Sequence, residues 1–208
     1  PDGLLEQATH LHQQWQLKGR QVLVAASTHE GEDALILSAF KQLQEYFPTA
    51  LLILVPRHPE RFDSVARLVV DQGLALARRS QYQEVSSGVA VFLGDSMGEL
   101  LLWYALADVA FVGGSLVPVG GHNMLEPIAL DVPTLSGPHV FNFQTIADEL
   151  VAAGALKLVE ASGLASAVQQ LLQAPELARQ QASAGHEVMQ RNRGALHRQL
   201  LLIEQATL

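Results

Sequence analysis

Seven short apolar runs, separated by longer amphipathic stretches, constrain the fold of this 208-residue chain more than any other feature. The runs are continuous, whereas a strand with one face in water would alternate apolar and polar residues. Continuous runs are typical of strands covered on both faces of a parallel sheet. They span residues 22–26, 50–55, 75–77, 89–93, 109–112, 133–135 and 156–159. The sequence therefore predicts an α/β fold with a doubly wound parallel sheet.

Helical patterns fill the stretches between these runs. Pro59 stands at one predicted helix start and Gly73 follows its end, while Ser96 and Glu99 predict a capping box for another helix. Predicted helices span residues 33–47, 59–72, 96–107, 143–153 and 164–173, and Pro175 restarts a helix. We expect residues 1–164 to form a ligand-binding domain and residues 165–208 to form C-terminal helices that pack on it.

Composition excludes several classes of protein. Thirteen basic residues against 21 acidic ones give a formal net charge of −8, which argues against a nucleic-acid binder. The absence of cysteine excludes disulfides, thiolate zinc sites, iron–sulfur clusters and cysteine nucleophiles. No apolar run approaches the roughly 20 residues that span a bilayer. The first residues lack the features of a signal peptide, and we expect the chain to be part of a longer one.

The basic residues are unevenly distributed. Residues 80–156 contain no Lys or Arg but eight acidic residues. An anion bound by this middle region would need backbone N–H groups or an arginine from elsewhere. A solvated acidic surface that keeps the protein soluble is the alternative explanation.

Two polar segments follow the first two predicted strands, where ligands sit in doubly wound folds. In residues 26–33, Ser27 could cap the next helix. In residues 55–61, two prolines bracket Arg57 and His58 and stiffen the loop. A guanidinium with a fixed place suits a phosphate or a carboxylate. Ordinary helix-start loops would have the same composition.

A third segment follows the fourth predicted strand. Met97 is apolar in a polar loop and could pack against a base, and Gly98 permits a close backbone approach to a ligand. A capping box with a core methionine is an equally good interpretation.

The fourth segment, residues 113–127, is the most informative one. Two glycine pairs, Gly113-Gly114 and Gly120-Gly121, would expose backbone N–H groups that form a nest for phosphate. Asn123 would cap a short helix, and Glu126 in its first turn could accept two ribose hydroxyls. The loop is neither a Walker loop nor a Gly-x-Gly-x-x-Gly fingerprint. A glycine-rich packing turn is the alternative.

Histidine spacing does not indicate a metal site. His10 and His12 share no helical face, and no second histidine lies at helical spacing from His29, His58, His122 or His139. We expect these histidines to face solvent or to form hydrogen bonds.

The four segments, in this order, resemble the C-terminal half of the 3-deoxy-D-manno-octulosonic acid (Kdo) transferase family, glycosyltransferases of lipopolysaccharide assembly. The resemblance runs from about Gln21 to Leu172 and is most specific in residues 25–32, 55–61 and 113–127. It implies a Rossmann-like domain that forms the C-terminal half of a two-domain GT-B enzyme. Such an enzyme inverts the sugar configuration and needs no metal and no cofactor for the transfer.

The same resemblance implies substrates and location. The donor would be CMP-Kdo, bound by residues 1–164. The acceptor would be a lipid A precursor, held by an N-terminal domain at the cytoplasmic face of the bacterial inner membrane. The family's general base is a glutamate of that domain, which this chain lacks, so no catalytic residue is assigned here. We therefore expect a soluble piece that binds donor without transferring sugar.

Roles for individual residues follow from matching positions. Arg57 would contact the nucleotide, Met97 and Gly98 would lie against cytosine and ribose, and Asn123 and Glu126 would hold the ribose side. Ser115 and the second glycine pair would face phosphate or sugar. The predicted donor-binding residues are Ser27, Arg57, Pro59, Met97, Gly98, Gly114, Ser115, Gly120, Gly121, Asn123 and Glu126.

Two other interpretations stay open. Another GT-B enzyme that uses a UDP-sugar, or a sugar-nucleotide epimerase, would share the glycine-rich loop and the ribose glutamate. A non-catalytic interaction domain would instead dock a partner or anionic lipid through Arg191, Arg193 and Arg198. A solvated helix face explains those arginines more simply.

Overall fold

A computed structural model describes the backbone of residues 3–206 and the side chains of residues 3–192. It confirms the predicted α/β fold, with one seven-stranded sheet whose paired strands are all parallel. The strands are β1 (Val22–Thr28), β2 (Leu51–Pro56), β3 (Leu76–Arg78), β4 (Val91–Leu93), β5 (Val109–Val112), β6 (Thr134–Ser136) and β7 (Leu156–Leu158).

Eight α-helices within residues 4–206 connect and flank these strands. They are α1 (Leu4–Gln14), α2 (Glu32–Gln44), α3 (Phe62–Asp71), α4 (Leu100–Tyr104), α5 (Leu125–Ile128), α6 (Gln144–Ala152), α7 (Leu164–Gln173) and α8 (Pro175–Ala206). None of the helices in the described part of the chain is long and apolar enough to cross a membrane.

The strand order is β3-β4-β2-β1-β5-β6-β7. The chain leaves β1 toward β2 on one side and returns to pair β5 on the other side of β1. The order therefore reverses between β1 and β5. In open parallel sheets, ligands bind in the crevice beyond the carboxyl ends of the strands at this reversal. The segments after β4, β2, β1 and β5 meet along that edge.

Both faces of the sheet are covered, which explains the continuous apolar runs. In β1, Leu23 and Ala25 pack with residues of α2, α3 and α7. Val22 and Val24 point to the other face and pack with residues of α1 and α4, including Trp103. Every residue of β1 is buried, so no position of the strand faces solvent and none requires a polar side chain.

Three details differ from the sequence prediction. The helix α1 was not predicted at all. The helix expected over residues 96–107 is reduced to the five residues of α4. The hydroxyl of Ser96 donates to the carboxylate of Glu99 instead of capping a backbone N–H group.

The helices after residue 164 pack on the rest of the molecule. Helix α7 contacts α2 and β5, and α8 contacts α5, α6 and α7. The buried side chain of Gln181 in α8 donates to the carbonyl oxygen of Thr134 in β6 at 2.6 Å. The exposed Arg191 lies within the described side chains, whereas those of Arg193 and Arg198 lie outside them.

Candidate functional site

The candidate site is a crevice at the carboxyl edge of the sheet, centred between β1 and β5. The segments after these two strands touch closely: a Cβ on Gly113 would lie 2.9 Å from the carbonyl oxygen of Ser27. Ser27 has a left-handed backbone (φ 57°) at the point where the register between β1 and β2 shifts. Residues in this sparsely populated conformation cluster at functional sites.

Glu32, the first residue of α2, fixes the glycine-rich loop to this crevice. Its side chain is fully buried. One carboxylate oxygen accepts from the N–H of Gly114 at 2.6 Å and of His29 at 2.8 Å. The other accepts from the N–H of Ser115 at 2.9 Å and of Leu116 at 2.8 Å. Four backbone donors thus satisfy one buried charge, which otherwise would be costly to desolvate.

This arrangement corrects the expected roles of Gly114 and Ser115. Their N–H groups donate to Glu32 and are therefore occupied. The hydroxyl of Ser115 is fully buried, donates to the carbonyl oxygen of Val112 at 2.7 Å and accepts from the N–H of Gly137 at 2.7 Å. The N–H groups of Gly114, Ser115 and Leu116 therefore form a nest for a carboxylate of the protein. That of Gly113 donates to the carbonyl oxygen of Ala26 at 2.8 Å, so the first glycine pair leaves no donor for a phosphate.

The segment after β2 is held against the segment after β1 by Arg61. Its guanidinium forms an ion pair with Asp33 and donates to the carbonyl oxygen of Thr28 at 2.8 Å. The hydroxyl of Thr28 donates to Asp33 at 2.6 Å. Burial raises the pKa of Asp33, against the opposing effect of these two partners. Arg61 is thus a structural arginine, whereas Arg57 is exposed.

Two histidines meet across the crevice. The Nε2 atoms of His29 and His122 lie 2.7 Å apart, and the two rings are nearly parallel (11°), with centroids 5.0 Å apart. His58 meets His29 edge-on at 5.1 Å between centroids. Burial, followed by the charges of His29 and Arg57, lowers the pKa of His122 to about 4. Burial is also the largest cause that lowers the pKa of His29.

Gly114 makes this histidine contact possible. Its backbone is left-handed (φ 67°), and a Cβ there would lie 2.7 Å from Cδ2 of His122. Only glycine satisfies both requirements.

The predicted residues Met97 and Gly98 lie in the loop after β4, beside the segment after β2. Met97 is 61% exposed, so it is a surface side chain and not a core methionine. Gly98 is left-handed (φ 83°). The loop is fixed by the buried Asp95, which accepts from the guanidinium of Arg78 at 2.7 Å and from the N–H of Ser80 at 2.8 Å.

The remaining predicted residues follow β5. Asn123 precedes Met124, the N-cap residue of α5, and its amide oxygen accepts from the N–H of Leu125, the first residue of the helix, at 3.1 Å. Its amide nitrogen donates to Glu126 at 3.2 Å, which leaves the second carboxylate oxygen of Glu126 without a partner in the described part of the chain. The N–H of Gly121 donates to the carbonyl oxygen of Gly114 at 2.7 Å. The N–H groups of Gly120, His122 and Asn123 have no acceptor among the described residues.

The roles of Glu32, Arg61 and the pair of His29 and His122 were not predicted from the sequence. The only signal was indirect: these residues stand in the segments after β1, β2 and β5, at or beside the reversal of strand order. In the described part of the chain, no group of three or more His, Cys, Asp or Glu side chains is arranged to hold a metal ion.

Comparison with known proteins shows close relatives over nearly the whole chain. A 3-deoxy-D-manno-octulosonic acid transferase of Haemophilus influenzae is 45% identical over 205 residues, which is 98% of this chain and 48% of that protein. The chain spans about half the length of the curated relatives it matches. No model of a protein family matches the chain.

Solved structures agree with these relatives. The crystal structure of the C-terminal CMP-Kdo binding domain of WaaA from Acinetobacter baumannii is 45% identical, with a TM-score of 0.88. The match covers 91% of this chain and 100% of that domain. WaaG, a glycosyltransferase involved in lipopolysaccharide biosynthesis, shares the fold with a TM-score of 0.55 at 18% identity, over 87% of this chain and 46% of that chain. The fold is therefore that of a GT-B glycosyltransferase domain.

Proposed function

Because the chain belongs to the 3-deoxy-D-manno-octulosonic acid (Kdo) transferase family and corresponds to its C-terminal half, we propose that it is the domain that binds the donor CMP-Kdo. The observation that carries this proposal is the placement of the four segments. They follow β4, β2, β1 and β5, which are neighbours in the sheet, and so they line one continuous edge. One elongated ligand can contact all four.

The chemistry of the segments suggests which part of the nucleotide each one contacts. Met97 and Gly98 offer an exposed apolar side chain and an accessible backbone, which suit the cytosine. Glu126 keeps one carboxylate oxygen for ribose hydroxyls, and its bond from Asn123 holds it in place. Arg57 and Pro59 lie in the segment after β2, where the exposed guanidinium can meet an anion of the ligand. We assign the phosphate to Arg57 because a guanidinium forms charge-assisted bonds with phosphate oxygens.

Because the N–H groups of Gly114 and Ser115 donate to Glu32, other residues of the loop must contact the phosphate. Gly114 and Ser115 act through Glu32 by shaping the loop. The second glycine pair and the residues after it supply the backbone donors that stay open, at Gly120, His122 and Asn123. As the bond between the anomeric carbon and the phosphate breaks, charge grows on the leaving phosphate. Fixed donors and a guanidinium stabilise such charge.

The complete reaction needs more than this domain. We propose an inverting transfer of Kdo to a lipid A precursor at the cytoplasmic face of the bacterial inner membrane. The general base, a glutamate, and the acceptor site would lie in the half of the family's proteins that this chain does not span. Base, donor and acceptor must be aligned together for transfer. We therefore expect the chain to bind donor without catalysis, and Kdo transfer by the chain alone would contradict this part.

Calorimetric titration of CMP into the chain, with UMP and AMP as controls, tests the donor assignment. We expect saturable binding that prefers CMP. Preferential binding of UMP would favour a GT-B enzyme that uses a UDP-sugar. If no nucleotide binds, the proposal that this chain alone holds the donor is wrong.

A further inference from the structure

We propose that the pair of His29 and His122 is a proton-accepting subsite for an anionic oxygen group of the donor, and that the pair gains one proton when that group binds. The proposal rests on the donor-binding function above and adds to it a site that carries variable charge. The first support for this proposal is the geometry of the two rings. The two Nε2 atoms lie 2.7 Å apart in the crevice where the strand order reverses.

The bond between the two rings restricts where protons can be. A contact between two ring nitrogens requires one nitrogen to donate and the other to accept. When the pair is neutral, one histidine carries its proton on Nε2 and the other carries its proton on Nδ1. The pair therefore keeps one unprotonated Nδ1. A proton taken up there gives a cation whose charge is shared through the short bond.

The charges around the pair are nearly balanced while the site is empty. Glu32 contributes one negative charge, and its oxygens are occupied by four backbone N–H groups. Arg61 is paired with Asp33, and Arg57 contributes one positive charge that acts on both rings. His58 is the other titratable group that acts on the pair. Burial and this environment keep the pair neutral, as the lowered pKa values of His29 and His122 indicate.

The donor brings more negative charge than the resident guanidinium balances. A CMP-linked sugar acid carries one charge on its phosphodiester and one on its carboxylate. Arg57 offsets one of them. The second charge favours the protonated form of a nearby imidazole, because an opposite charge within a few ångströms stabilises the charged form. Binding of the donor and uptake of a proton are therefore coupled.

Calorimetry with the methyl ester of CMP tests this coupling. The ester is a phosphodiester that has no titration near neutral pH, so any proton gained on binding belongs to the protein. Titrations at pH 6.5 in two buffers of different ionisation enthalpy give the number of protons taken up. A second arm adds free Kdo, a sugar acid, to the chain saturated with the ester. Uptake in the first arm assigns the pair to the phosphate, and uptake only in the second assigns it to the carboxylate.

The double variant His29→Gln/His122→Gln identifies the groups that take up the proton. Glutamine keeps a polar side chain of similar reach but cannot be protonated. We expect the parent chain to take up as much as one proton on binding and the double variant to take up none. His12→Gln, an exposed histidine beside Asp108 at the amino end of the sheet, is the control and should keep the full uptake.

The outcomes separate this inference from the function on which it rests. If the ester binds and neither arm shows proton uptake, the inference is wrong while the donor-binding function stands. The inference is also wrong, and the donor-binding function again stands, if the double variant takes up as many protons as the parent. If neither the ester nor CMP binds, the donor-binding function fails first. A circular dichroism spectrum and an urea midpoint for each variant verify that it is folded.

Discussion

The carboxylate of Glu32 determines what the glycine-rich loop can bind. From the sequence, an acidic residue at a helix start is ordinary, and a loop with four glycines suggests a phosphate nest. In the structure the two features satisfy each other, because Glu32 accepts the N–H groups that the loop exposes. The loop is therefore preorganised before any ligand arrives, and its later residues are left to meet the ligand.

Replacement of Glu32 by Gln tests this structural role. The amide loses the charge and directs an NH₂ group at backbone donors, so the two N–H groups that faced the replaced oxygen lose their acceptor. We expect the free energy of unfolding to fall by about 2–4 kcal/mol, the scale of lost charge-assisted bonds in a buried site. Urea denaturation measures this change. Glu30→Gln, an exposed neighbour, is the control, and equal effects of the two variants would refute the role.

Arg57 provides the second test at the residue scale. Its side chain is exposed in the segment after β2, so its truncation should leave the fold intact. We expect Arg57→Ala to weaken CMP binding tenfold or more, because a charge-assisted bond contributes about 1.5–3 kcal/mol. Calorimetry against Arg67→Ala, an exposed arginine of α3, checks this expectation. Unchanged affinity would move the phosphate contact to another group.

Glu126 provides the third test at the residue scale. If its open carboxylate oxygen accepts ribose hydroxyls, Glu126→Ala should weaken CMP far more than 2′,3′-dideoxy-CMP, which has no such hydroxyls. The dissociation constants of both nucleotides, measured for both proteins, form a complete cycle. Equal losses for the two nucleotides would show that Glu126 serves only α5, through Asn123.

At the scale of elements, the strands were predictable and some helices were not. All seven apolar runs became strands, and residues 109–112 match β5 at both ends. A buried strand needs apolar residues at every position, so its signal is dense. Helix α1 has one residue, Ala8, that is buried, and its sparse apolar pattern gave no comparable signal. Helix α4 is shorter than predicted because Ser96 bonds Glu99 instead of a helix N–H.

The site was predictable in location but not in its inner contacts. The segments after β1, β2, β4 and β5 were identified because polar and glycine-rich residues interrupt an apolar pattern. Glu32 meets Ser115, and His29 meets His122, only because β1 and β5 are neighbours in the sheet. Sequence spacing of more than 80 residues carries no information about such contacts, whereas the strand order does.

The contact between α8 and α5 leads to a prediction at this scale. Gly185 of α8 is buried against Ile128 of α5, and a Cβ at Gly185 would lie 2.5 Å from Cγ2 of Ile128. Gly185→Ala gains about 1 kcal/mol of helix propensity but forces the two helices apart, and overpacking costs about 1–3 kcal/mol. We expect a net loss of stability in urea denaturation. Gly163→Ala, where a Cβ meets no atom within 4 Å, changes only the N-cap residue of α7 and should lose less stability than Gly185→Ala. A more stable Gly185→Ala variant would contradict the close crossing.

At the scale of the whole molecule, the fold redistributes charge that the sequence keeps apart. Residues 80–156 lack Lys and Arg, yet they include the loop after β5. The sheet places this loop beside β1, and the charges of Arg57 and Arg61 act on His29 there. A protein with a net charge of −8 thus keeps positive and titratable groups at the crevice. The acidic surface elsewhere favours solubility, and the crevice can still attract an anion.

The same crevice should make the stability of the molecule depend on pH. The pKa of His122 is about 4 in the folded state, below the ordinary value of 6.5, and that of His29 is also lowered. Between these values the unfolded chain binds more protons than the folded one, so acidification favours unfolding. The contribution of His122 is therefore complete above about pH 6.5 and is lost as the pH falls toward 4.

Raised pKa values at Asp33 and Asp108 act in the opposite sense, so the parent chain must be compared with His122→Gln, in which both carboxyl groups remain. Urea denaturation at pH 7 and pH 5 should show a larger loss of stability on acidification for the parent than for His122→Gln. Equal losses would mean that His122 is as easily protonated in the folded chain as in the unfolded one, and that the crevice does not hold its imidazole neutral.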